Sequence, residues 1–149
     1  GADLATLETL ADGALTAGIA GNDLYVSYHQ FTKGLVEYRQ GRFASASDWM
    51  HKSIDDPFYG AGHMRYVQSY MVLAMAQHHL KQYEEARAAF ATGIKIKETK
   101  LAKLDSGDLG TEWYWRDWIV AQALVAEAKV LIGPPSGSTN LKPDASLKP

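Results

Sequence analysis

Four of the five histidines, His51, His63 and the adjacent pair His78 and His79, are the side chains whose type first suggests metal chemistry in this 149-residue chain. Neighbouring residues on a helix point about 100° apart, and no His-x-x-x-His pair exists, so His78 and His79 cannot close on one ion. Half-buried or solvated histidines are the expectation, with no metal and no cofactor. Residues 105–112 hold three acids and two glycines but lack the alternating Asp/Asn ligands and the distal Glu of a calcium loop, and a capped turn accounts for them. Serine and histidine are present, yet no Gly-x-Ser-x-Gly or His-Glu-x-x-His joins them, so no catalytic residue is assigned and no enzyme is expected. The chain has no cysteine, which removes thiol catalysis, thiolate metal sites and redox roles.

The elements that position these residues repeat. Within 28–96 one pass places Phe31, Gly34, Gly41, Phe43, Ala46, Met50, Ser53 and Ile54, and a second places Met71, Ala74, Lys81, Tyr83, Ala86, Phe90, Gly93 and Ile94. Each pair is 40 positions apart. The gaps inside each pass are helical, so each reads as a helix, a tight turn and a second helix folded back on the first. Gly34 in mid-helix is then a place of close approach, expected to face Ala46 or its neighbour, and Ala74 to face Ala86. This pattern resembles the tetratricopeptide repeat (TPR), with about six extra residues between copies. Lys33 stands where that consensus prefers Leu, and Lys81 where it prefers Gly.

Around the repeats, Asp3 can cap a first helix whose stripe is Leu4, Leu7, Ala11, Ala14, Leu15 and Gly18. It completes a neighbouring repeat. Leu24, Tyr28, Phe31, Leu35 and Tyr38 give the clearest helix, and Asp56-Pro57 ends its partner. The second hairpin starts near His63; its first helix offers Val67, Tyr70, Leu73, Ala74, Gln77 and Leu80, and its second runs from about Tyr83, reaching as far as Leu104. Thr111 can cap a last helix with the stripe Tyr114, Trp118, Ala121, Val125, Ala128 and Ile132. The expected fold is all-α, a TPR-like superhelix of about six helices. The expected domain spans 2–132, with repeats at about 27–60 and 67–100, a capping helix at about 111–132, and a Pro/Ser/Lys-rich tail at 133–149. That tail cannot bury enough apolar surface to order itself, though its extended Leu-Lys-Pro segments could lie in a groove, their own or a neighbour's.

Residues 101–124, with Asp108-Leu109-Gly110 followed by Trp113, Trp115 and Asp117-Trp118, are similar to a region that follows TPR units near the C-terminus of large bacterial eukaryotic-like serine/threonine kinases. The resemblance implies an accessory region of a signalling protein. It does not imply kinase activity, because no Gly-rich phosphate loop, His-Arg-Asp or Asp-Phe-Gly is present. It also implies that the inner surface is lined by the first helix of each hairpin, here Tyr28, Phe31, Leu35, Tyr38 and Arg39 in one repeat and Gln68, Met71, Met75, His78 and His79 in the other. Such an aromatic and Met-rich groove suits an extended or helical peptide. The alternative is that these side chains pack on the first helix and on one another. The Lys and Asn set that clamps a peptide carboxylate is missing. Trp113 and Trp115 either pack under the preceding loop or stand exposed as anchors.

Fifteen basic against seventeen acidic residues argue for neither nucleic acid nor a membrane surface, and no run of 18 apolar residues occurs. The start Gly1-Ala2 reads as a processed or excised piece, and the expected location is the cytoplasm, with a membrane-anchored parent protein left open. A protein or peptide partner is expected, the chain itself being a monomer or weak homodimer. Two other readings stay open: a structural spacer or homodimerisation element in which the first helix or the tail packs on another copy, and a small-ligand pocket between the hairpins.

Overall fold

The computed structural model describes residues 3–21, 25–56, 63–101 and 115–133. Its helices are α1 (Leu4–Ala20), α2 (Val26–Arg39), α3 (Phe43–Asp55), α4 (His63–His79), α5 (Tyr83–Lys100) and α6 (Trp115–Ile132), and no strand occurs among the described residues. The chain is all-α. Thr111, Tyr114, the 105–112 loop, Trp113 and the tail lie outside the described residues.

Consecutive helices pack as α1 on α2, α2 on α3, α3 on α4 and α4 on α5, while α6 returns to lie along α4. The two hairpin turns repeat bond for bond. Gln40, Gly41 and Arg42 donate their backbone N–H groups to the carbonyls of Val36, Tyr38 and Glu37; Leu80, Lys81 and Gln82 do the same to Ala76, His78 and Gln77. This is the Schellman arrangement, which needs a left-handed residue after the helix. Gly41 supplies it at φ 77° and Lys81, exceptionally for a side chain, at φ 64°.

Close approach at Gly34 is as expected. A Cβ there would lie 3.0 Å from Trp49 Cβ, 3.4 Å from the Ala46 carbonyl oxygen and 2.2 Å from Met50 Cε. Ala74 and Ala86 are fully buried in the second hairpin. The repeat also has a counterpart in α5, where a Cβ on Gly93 would meet Met71 Cε at 2.3 Å and Tyr70 Cβ at 3.0 Å. Each hairpin therefore seats a Met side chain over a bare backbone.

In α1 the Asp3 carboxylate accepts the Thr6 N–H at 2.7 Å, as a helix cap should. Its buried stripe is narrower than the spacing suggested. Ala11, Leu15 and Gly18 are buried, whereas Leu4 and Leu7 are exposed, because α1 has only α2 as a substantial neighbour. α4 departs the other way. Met64, Arg65 and residues 67–69 and 71–77 are all buried, well beyond the expected stripe, since α3, α5 and α6 enclose it. No helix among the described residues is long and apolar enough to cross a membrane.

Candidate functional site

The C-terminal ends of α2 and α4 meet α6 in an open cleft of about 540 Å³, lined by Tyr38, His79, Ala126, Glu127, Val130 and Leu131. Phe43, first in α3, stacks on His79 at 4.2 Å with the planes 7° apart, and Tyr38 tilts against both rings. His78 meets Tyr83 edge-on at 5.2 Å. Because the two turns share one geometry, they bring the same aromatic positions, Phe43 and Tyr83, beside the ends of α2 and α4.

The polar rim of the cleft is a single fork. Arg39 donates from Nη1 and Nη2 to the two oxygens of Glu127 at 2.6 and 2.7 Å, and the Tyr38 hydroxyl lies 3.7 Å from Met75 Sδ and 3.5 Å from Glu127. The Arg39 hydrogen bonds hold Glu127 below the usual carboxylate range. Burial, with the Glu127 charge beside it, pushes the Tyr38 phenol up. Arg39 and Glu127 are thus charged through the neutral range while Tyr38 keeps its proton. None of the three is poised to exchange one.

α6 runs in the same direction as α4: Gln68 Nε2 donates to the Asp117 carbonyl at 2.8 Å near one end, and Glu127 reaches Tyr38 beside Met75 near the other. Its inner stripe is the expected one, with Ala121, Val125 and Ala128 buried and Trp118 and Ile132 half-buried against the core.

Of the side chains assigned to an inner groove, Tyr38, Arg39 and His79 come together at this cleft, with His78 beside it and Met75 buried against the Tyr38 hydroxyl. The others disperse. Met71 turns toward Gly93 in α5, and Gln68 spends its amide on α6. Phe31 is buried, Tyr28 and Leu35 are half-buried, and Phe31 and Leu35 belong to the core. Met71 and Met75 have no exposed surface, so for them mutual packing describes the geometry. Tyr38 is only 8% exposed, and a Tyr38/Met75 double truncation would act on the core as well as on any surface. Trp115 is 42% exposed with Arg116 over its ring, the exposed alternative for that residue.

Two polar clusters had no sequence expectation. Lys33, at 8% exposure, reaches Asp12 at 2.6 Å, Glu37 at 2.8 Å and Glu8 at 3.6 Å, and Arg42 joins Glu37 to Glu8. The i,i+4 spacing of Lys33 and Glu37 is present in the sequence, but the same spacing fits a solvated surface pair. Arg65, fully buried, donates to Ser53 Oγ and to the Asp56 carbonyl, both at 3.2 Å, while Ser53 Oγ donates to the Ser27 carbonyl at 2.8 Å. Arg65 therefore closes the C-terminus of α3, where a cation is favoured.

No group of three or more His, Asp or Glu side chains that could hold a metal ion occurs among the described residues. No family of known proteins, no curated protein and no solved structure matches the chain.

Proposed function

We propose that this chain is a non-catalytic protein-interaction module, a TPR-like array that holds a peptide or partner protein at the ends of α2 and α4. The observation that carries this reading is the cleft: rings from both hairpins, a nearly fully exposed Val130 and one locked ion pair share a single open surface. An apolar anchor with one convergent polar fork can bind a bulky side chain and orient the backbone carrying it. The Arg39–Glu127 fork is locked by its own hydrogen bonds, which supports binding over chemistry. The likeness of 101–124 to a region that follows TPR units in large bacterial signalling proteins supports a place within a larger bacterial signalling protein in the cytoplasm.

The test is selection of peptides from a displayed random library against the full chain, followed by affinity measurement on His79→Ala and Val130→Asp. Both positions are exposed, so the helices survive the changes. Selected peptides should share an apolar anchor and lose about tenfold or more in affinity on either variant. Failure to select any peptide, or affinity for both variants unchanged from the unsubstituted chain, would contradict the reading.

A further inference from the structure

The face of α6 turned away from α4 carries an apolar stripe of its own, flanked by the exposed Arg116 and Lys129. Ile119, Ala123, Ala126 and Val130 are all exposed, Ile119 at 57% and Val130 at 90%, and they follow one another at steps of 4, 3 and 4 on one side of the helix. Those steps are the spacing of a helix-pairing seam. A helix apolar on two opposite faces is expected to be covered on both.

The pattern is complementary to itself. Read backwards, the stripe is Val, Ala, Ala, Ile at steps of 4, 3 and 4, the same sequence of bulky, small, small, bulky. Two copies running antiparallel about the point between Leu124 and Val125 would oppose Ile119 to the partner's Val130 and Ala123 to the partner's Ala126. Small residues at the centre let the two backbones approach, and the branched residues close each end. Self-complementarity of this kind is what a two-fold interface requires, because each residue must fit the surface that it itself belongs to. None of the four stripe positions carries a charge that such pairing would bury.

We infer that the outer face of α6 is a homodimer interface, built from Ile119, Ala123, Ala126 and Val130 and occupied by the same face of a second copy in antiparallel register. A single helix pair buries an area at the low end of specific interfaces, roughly 1,000 Å², so the dimer is weak and forms as concentration rises. Ala126 and Val130 also border the cleft. Pairing would bring the partner's Ile119 against its mouth.

Sedimentation equilibrium of the full chain across a concentration series, with two sets of variants, decides the matter. The average mass should climb from the 16.4 kDa of one chain toward twice that value. Ala126→Glu, at an exposed position, should abolish the climb with the helical circular dichroism intact, and Leu10→Asp, on the exposed surface of α1, should leave it unchanged. The chain has no cysteine, so single cysteines report the register. Ala123→Cys mixed with Ala126→Cys should give disulfide-linked mixed dimers, while Ala123→Cys alone should link to itself poorly. A mass fixed at the monomer value, association lost in Leu10→Asp but kept in Ala126→Glu, or ready self-linking of Ala123→Cys would each overturn the inference. Should Ala126→Glu unfold the chain, the cysteine pairings alone decide.

Discussion

Arg39 and Glu127 stand 88 positions apart in sequence and face each other as a two-pronged hydrogen-bonded pair, the last residue of α2 against the last third of α6. Exposed ion pairs contribute little, but a bidentate guanidinium–carboxylate pair lies at the upper end of that range, about 1 kcal/mol. Glu127→Ala should lower stability by about that amount. It should also speed hydrogen exchange in α6 more than in α4, because the pair anchors the less enclosed helix. Uniform acceleration across both helices would show that the pair has no local role.

The equivalent turn residues Gly41 and Lys81 hold the same left-handed conformation with different side chains. A Cβ in that conformation costs about 1 kcal/mol. Urea denaturation should therefore show Lys81→Gly more stable by about 0.5–1 kcal/mol and Gly41→Ala less stable by a similar amount. Equal and opposite signs at positions 40 apart would be a direct thermodynamic reading of the repeat.

Met50 lies across Gly34, with its terminal methyl where a Cβ would go. Gly34→Ala gains helix propensity of about 1 kcal/mol but must displace a fully buried side chain and press on Trp49, which costs about 1–3 kcal/mol. The net effect should be a loss. In a Met50→Ala background the methyl is gone, and Gly34→Ala should cost measurably less. A double-mutant cycle without coupling would mean that the two positions do not share the space.

Glu37 is held down to about 2, first by the hydrogen bond from Arg42 and then by Lys33, against the cost of its burial. For a carboxylate with a depressed folded-state value, the stabilisation is complete above the unfolded value near 4.5 and is lost as pH falls toward about 2. Stability measured from pH 6 to pH 2 should fall through that window, and Glu37→Gln should flatten the fall while lowering the plateau. An acid limb unchanged in Glu37→Gln would assign acid sensitivity to other carboxylates.

The hairpins were legible because the cue is local and occurs twice: helical gaps, a turn residue and a small residue opposite a bulky one, all 40 positions apart. Gly34 against Ala46, Trp49 and Met50 needs no knowledge beyond the hairpin itself. What was not legible depends on distant neighbours. Lys33 looks out of place until Glu8 and Asp12 of α1 arrive beside it. Arg65 looks like a surface residue until α3 and α4 enclose it. The stripe of α6 predicted which face is buried, but no periodicity tells which helix receives it. Its contact with α4, and through Glu127 with α2, joins elements far apart in the sequence. That placement gathers Tyr38, Arg39 and His79 at one cleft and leaves Phe31, Met71 and Met75 as core.

The most direct test of the central reading is a ¹H–¹⁵N NMR titration of the full chain with a peptide recovered by the selection. Shifts confined to the ends of α2, α4 and α6, centred on Arg39, His79, Glu127 and Val130, are the predicted result. Saturable binding that moves signals only in α1 or α5 and leaves these four unmoved would contradict it.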